Sequence, residues 1–401
     1  MTATVTHGQA LLKDGDVLAL CGDSITEQKQ YTVFIEDYLR MCQPLKVDVM
    51  QFGWGGESSS GFLNRMKWDV LWFKPTIATT CYGMNDGGYK PIDDATRQKY
   101  RDLTAEIVKA FQSAGARVVV GSPGAVDPNT FRRGPEAEVY NHTLAALRDE
   151  ARAVAASNES TFADVHEPLR QVTDAAKLKY GPGYHVCGPD GYHPAANGHL
   201  VMAYAFLKAL GMNGEIGTIN VDLSAGTSTA SEGHSIAKME GGSVTIESTR
   251  YPFCFTGDPK SPNATSGIIE FFPFNQDLNR LVLRVTGPAQ NYKITWGTTV
   301  REYSIEQLKG GINLAADFIP NPFNDRFVEV EKKIREKQGF ETKYGKGLVH
   351  AIGDARPQLG DDPALDAVMQ SVRTRHTEFT RAVTEVVQPV THTLVIEPVT
   401  P

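Results

Sequence analysis

The chain has 401 residues, a formal net charge of −7 and 41% apolar residues. It is longer than the ~100–200 residues of a typical domain, so two units are expected, and its scattered lysines and arginines exclude the basic footprint of a nucleic-acid binder. Five cysteines, an odd number with no Cys-x-x-Cys, exclude a disulfide framework and a cysteine zinc site.

Met1 to His7 form neither a basic nor an apolar leader, and no run approaches the ~20 apolar residues of a membrane span. As given, the sequence reads as cytoplasmic and free of membrane contact; a chain trimmed of its leader would be secreted or periplasmic. Short β-rich apolar runs at 16–21, 46–52, 76–82, 117–122 and 161–165 then alternate with amphipathic helical patterns at 31–41, 94–114 and 136–156, and a last helix at 195–210 follows Pro194. That rhythm predicts a flavodoxin-like three-layer α/β/α domain over 1–213, with a parallel sheet in the order 2-1-3-4-5 and ligands beyond the carboxyl ends of its strands.

After Gly211 the character changes. Runs at 243–246, 267–272 and 281–285, set among Thr, Ser and Gly, predict an antiparallel β-sandwich or jelly-roll-like accessory module over 214–401. Within it, 304–316, 324–338 and 362–387 read as helices, Asn321-Pro322 breaks the chain, and 391–397 alternates like a final strand. Periodicity leaves open whether 301–401 covers the active edge, packs on the β module or pairs copies into a homo-oligomer.

Four fragments carry chemistry: Gly22-Asp23-Ser24 at the end of the first strand, Gly55-Gly56-Glu57-Ser58 after the second, Gly83-Met84-Asn85-Asp86 after the third, and Asp190-Gly191-Tyr192-His193 before the last helix. A serine hydroxyl attacks an ester only if a histidine takes its proton and a carboxylate orients that histidine. Ser24, His193 and Asp190 supply those parts, and Asp-x-x-His places two of them in one loop. Each fragment alone reads as an ordinary turn or helix cap. All four in this order resemble the SGNH/GDSL hydrolase family.

The resemblance implies a serine esterase working through an acyl-enzyme, with the Ser24 N–H, the Gly56 N–H and the Asn85 amide as oxyanion hole. No cofactor and no metal are expected, since the sequence has no His-x-His or His-Glu-x-x-His ligand set. Asp23 and Asp86 read as turn braces, while Trp54 and His185 are candidate substrate contacts. His166 and His199 read as residues outside the reaction, and Trp68 and Trp72, at helical spacing, read as core. The appended β module and the absence of a long apolar lid favour an acetyl ester of a carbohydrate, a small-molecule or oligosaccharide substrate. The rival readings are a short-chain acylesterase, lipase or thioesterase and, in a different class, an inert carbohydrate-binding protein.

Overall fold

Five buried runs form one parallel sheet: β1 (Val17–Gly22), β2 (Asp48–Gly53), β3 (Ile77–Cys81), β4 (Arg117–Gly121) and β5 (Thr161–Ala163), ordered β2-β1-β3-β4-β5. This is a computed structural model, and it describes residues 11–43, 45–360 and 362–399; the leader reading at 1–7 lies outside the described residues. All five residues of β3 are buried, as a strand covered by helices on both faces must be. The helices are α1 (Ser24–Glu27), α2 (Tyr31–Asp37), α3 (Ser59–Asp69), α4 (Asp94–Ser113), α5 (Ala137–Ser157), α6 (His166–Tyr180) and α7 (Ala196–Ala209). The pattern at 31–41 is α-helical only to Asp37 and loosens into a π-turn over Tyr38–Cys42. Among the described residues, no helix is long and apolar enough to cross a membrane.

The C-terminal half adds β6 (Glu215–Asp222), β7 (Thr227–Ala230), β8 (His234–Glu240), β9 (Ser243–Ser248), α8 (Phe274–Leu278), β10 (Arg280–Thr286), β11 (Asn291–Trp296), β12 (Thr299–Ser304), α9 (Ile305–Gly310), β13 (Ile312–Asn313), α10 (Leu314–Asp317), α11 (Asn324–Tyr344), α12 (His350–Leu359), α13 (Pro363–Val386) and β14 (Val390–Pro398). Two sheets result, β13-β10-β6-β7 and β12-β11-β14-β9-β8. The second is antiparallel throughout, whereas β6 and β10 run parallel, which corrects the all-antiparallel expectation. The 57 residues between the end of β6 and the start of β10 hold β7, β8, β9 and α8, long enough for the crossover that a parallel pair requires.

The run at 267–272 is not a strand but a chain of turns. Its Ile268 and Phe272 are buried, and Phe271 and Phe272 meet Tyr180 and Tyr204 with ring centres 6.0 and 5.3 Å apart. The apolar residues therefore plug the space beside α6 and α7 without a pairing strand. The predicted helix at 304–316 is broken as well: the Ser304–Gln307 capping box starts α9, Gly311 at φ +98° ends it, and β13 intervenes before α10.

Helix α11 returns to the first sheet and covers its β2 edge. Lys337 donates to the Val49 carbonyl at 2.5 Å, and the Gln51 N–H donates to Glu341 at 2.9 Å, so side chains of α11 satisfy backbone groups that an edge strand leaves free. Lys337 is fully buried between Glu36 of α2 (3.1 Å) and Glu341 (2.6 Å), and His376 of α13 meets Glu341 at 2.8 Å. One hydrophobic core runs from Leu18 in β1 to Ile396 in β14.

Candidate active site

Strand β1 ends at Gly22, and Asp23 turns the chain by capping α1, its carboxylate accepting from the Ile25 N–H at 2.9 Å. Ser24 is the first residue of α1, where backbone donors have no carbonyl four residues back to bind. Its hydroxyl lies 2.8 Å from His193 Nε2, and His193 Nδ1 lies 2.7 Å from Asp190 Oδ2. With Nδ1–H donating to Asp190, Nε2 is left as the acceptor facing Ser24.

The loop holding both partners is built tightly. Gly188 has φ +84°, and a Cβ there would stand 1.7 Å from the His193 carbonyl oxygen. Asp190 Oδ1 accepts from the N–H groups of Tyr192 and His193 at 3.2 and 3.0 Å. Partial burial disfavours the Asp190 carboxylate, but these bonds and the His193 imidazole outweigh it and hold the carboxyl below its usual range. The group therefore stays ionised beside the His193 ring.

The other two turns are tied to each other. Asn85 donates one amide N–H to the Glu57 carbonyl at 2.9 Å and accepts at Oδ1 from Tyr89 OH at 3.1 Å, which fixes the amide orientation and leaves one N–H unspent. Gly56 has φ +74° with open space where a side chain would stand. Beneath it Glu57 is clamped by Arg65 at 2.6 and 2.8 Å and by Tyr82 OH at 2.9 Å. Asp86 accepts from Ser59 N–H and Gly83 N–H at 2.9 and 3.0 Å. Burial pushes the Asp23 carboxyl up to about 7, with the Asp86 and Glu57 charges adding to it, and burial likewise raises Asp86. Both act as braces of the turns.

Trp54, the candidate substrate contact, is half-buried in the turn after β2. Its ring lies 4.9 Å from the Arg65 guanidinium, 4.9 Å from the Lys346 ammonium and 4.7 Å from the His350 ring, so it anchors the segment joining α11 to α12. Lys346 also pairs with Glu27 of α1 at 2.5 Å. Trp68 lies under α12, with the Arg356 guanidinium 4.6 Å away. Trp68 and Trp72 are half-buried. His185 makes no hydrogen bond or ring contact with the triad among the described residues; its carbonyl accepts from Asn197. His166 Nδ1 meets the Gly124 carbonyl at 2.8 Å, and His199 is buried between Tyr31 and Gln28.

Sequence reasoning missed Tyr89, Arg133 and Lys346. The spacing of four from Asn85 to Tyr89 was the only visible signal for the first. Arg133 and Lys346 come from distant turns that only the fold brings to this edge.

Residues 20–201 match the GDSL-like Lipase/Acylhydrolase family. A gut microbial diltiazem-metabolizing enzyme has the same fold, with a TM-score of 0.74 at 22% identity over 97% of this chain and 98% of that one. An alpha/beta hydrolase enzyme from the metagenome of Lake Arreo, Spain, aligns at 21% identity over 51% of this chain and 98% of its own, with a TM-score of 0.42. An acetylxylan esterase from Geobacillus stearothermophilus aligns at 19% identity over 51% and 97%, with a TM-score of 0.41. No curated protein matches the chain. Residues 20–201 belong to the GDSL-like lipase/acylhydrolase family, and the chain is a hydrolase acting on ester bonds.

Proposed function

We propose that Ser24 is the nucleophile, His193 its general base and Asp190 the orienting carboxylate of an O-deacetylase acting on carbohydrate esters. The observation that carries this reading is the unbroken line Ser24 Oγ to His193 Nε2 at 2.8 Å and His193 Nδ1 to Asp190 at 2.7 Å. As Ser24 Oγ bonds to the ester carbonyl carbon, its proton passes to His193 Nε2, and negative charge builds on the carbonyl oxygen. The Ser24 N–H, the Gly56 N–H and the unspent Asn85 N–H are the donors assigned to it. Collapse breaks the bond to the alcohol, which leaves with the His193 proton. Water then attacks the acyl-enzyme, losing a proton to His193, and as the Ser24 Oγ–acyl bond breaks His193 returns that proton to Ser24 Oγ and acetate departs.

The openness of the site supports a small acyl group on a polar alcohol: the side chains of His193 and Asp190 retain 24% and 43% exposure. A long acyl chain needs an apolar channel to bury it. Tyr192, half-buried beside His193 at the rim, offers an aromatic surface of the kind that sugar rings pack against.

The division into a catalytic unit over 1–213 and an accessory unit over 214–401 is part of the same proposal, with the β module as the carbohydrate-facing addition. The test compares p-nitrophenyl acetate, a longer acyl ester, an acyl thioester and acetylated oligosaccharides, each with the protein and with Ser24→Ala. Acetylated oligosaccharides are expected to be the best substrates, and Ser24→Ala to lower kcat on the order of 10⁶-fold. A preference for the longer acyl ester would favour the lipase reading instead.

A further inference from the structure

The rim beside His193 carries a cation that no catalytic step uses. The segment between β4 and α5 braces the triad loop, with the Asp127 N–H donating to the Gly191 carbonyl at 2.8 Å and Thr130 Oγ1 to the Gly188 carbonyl at 3.0 Å. Arg133 follows in that segment and is exposed. Its guanidinium lies 3.9 Å from the centre of the Tyr89 ring and 5.7 Å from that of Tyr192, and it makes a long 3.4 Å bond to Tyr192 OH. The Tyr192 ring centre is 4.3 Å from that of His193, and Tyr89 OH holds Asn85. One guanidinium thus rests on the two rings that contact the proposed base and the proposed oxyanion amide.

Among the described residues Arg133 forms no ion pair, whereas Arg148, Arg152 and Arg170 of the same domain each pair with a carboxylate. Stacking on a ring limits the rotamers of an arginine and leaves the donors at the edge of its plane free, which lowers the entropy lost when a carboxylate binds them. The chemistry says which half of the substrate reaches it. His193 must hand a proton to the leaving alcohol, so the alcohol lies on the His193 side of the ester, where Tyr192 and Arg133 stand. An acetyl group is too short to carry a second functional group there.

We propose that Arg133, held by Tyr89 and Tyr192, is a subsite for a carboxylate on the alcohol half of the ester, so that O-acetyl uronates are preferred over O-acetyl neutral sugars. The proposal rests on the deacetylase reading above and names its substrate class.

The test measures kcat/KM on two methyl glycosides acetylated at the same hydroxyl, a galacturonoside and a galactoside, with p-nitrophenyl acetate as a check that the enzyme is active. The protein is expected to favour the uronate about tenfold or more, chiefly through KM, as one charge-assisted contact allows. Arg133→Gln should bring that ratio close to one, Arg133→Lys should keep part of it, and added salt should erode it. Circular dichroism melting of both variants controls for folding, and the ratio is read within each variant. Equal rates on the two sugars with the unaltered protein would overturn the subsite while leaving the deacetylase reading intact. A preference that survives Arg133→Gln would overturn the assignment to Arg133. Turnover of p-nitrophenyl acetate with neither sugar ester hydrolysed would overturn the deacetylase reading and the subsite together.

Discussion

Replacing Lys337 by methionine tests whether the C-terminal helices are part of the hydrolase or an attachment to it. The ammonium is fully buried, 3.1 Å from Glu36 and 2.6 Å from Glu341, and donates to Val49 of β2. Burial works against its charge, but the two carboxylates hold its pKa above the ordinary lysine value. Removing the cation leaves Glu36 and Glu341 facing each other across a dry interface. Glu36 retains Arg40 at 3.2 Å and Gln338 at 3.0 Å, and Glu341 retains His376 at 2.8 Å, so neither is stripped of partners. Breaking a buried ion pair on one side costs about 3–5 kcal/mol, and the abandoned Val49 carbonyl adds about 1–3 kcal/mol. The surviving partners offset some of this, so a net loss of about 3–5 kcal/mol is expected, a large share of the ~5–15 kcal/mol by which proteins are stable. Urea denaturation followed by circular dichroism measures it. Combining Glu36→Gln with Lys337→Met should recover part of the loss, because one of the opposed charges is gone. A loss below about 1 kcal/mol for Lys337→Met would refute the reasoning and make α11 a loosely docked appendage.

Asn85→Ala should lower kcat by about 10²–10³-fold with little change in KM, since the missing donor acts on charge that appears only in the transition state; stopped assays on p-nitrophenyl acetate check it, and a loss confined to KM would contradict the oxyanion role. Acid should destabilise the fold through His199 and His392, whose burial lowers each to about 3. Their folded values lie below the ~6.5 of the unfolded chain, so their stabilising contribution is complete above pH 6.5 and is lost as pH falls toward 3. In the middle of that window two extra protons on the unfolded chain give a slope of up to about 2.7 kcal/mol per pH unit. Denaturant midpoints at pH 7, 5.5 and 4.5 should show a shallower decline in His392→Gln than in the unaltered protein, and parallel declines would exclude the histidine.

The His392 case shows what the sequence could and could not carry. Alternation at 391–397 was enough to predict a strand, because period-two burial is written in adjacent residues. The hydrogen-bond chain through it was not: Trp296 Nε1 donates to His392 Nδ1 at 3.0 Å, His392 Nε2 meets Ser248 at 2.9 Å, and Ser248 meets His234 at 2.7 Å, joining strands 144 and 96 residues apart. Only pairing of β14 between β9 and β11 brings these atoms together. The α/β sheet was readable because each βαβ unit repeats a local rhythm, and its four chemical fragments sit at strand ends that the rhythm marks. Where local pattern and tertiary demand diverged, the pattern misled, as at 267–272, where apolar residues fill a gap between helices with no strand beside them.

Tertiary demand also explains why the C-terminal segment had no readable role. Lys337 and Glu36 are 301 residues apart, and the polar residues of α11 that look solvent-facing in sequence are the ones buried against β2. A lysine and a glutamate on a helix ordinarily report a wet face; here they supply the donor and acceptor that Val49 and Gln51 lack at a sheet edge. The same docking brings Lys346 onto Trp54, in the turn after β2, and onto Glu27, the last residue of the α1 helix that begins at Ser24. Accessory residues thus reach the catalytic edge through the covered strand, so a change that loosens α11 at Lys337 acts on the segment that braces the first turn of α1, beside Ser24.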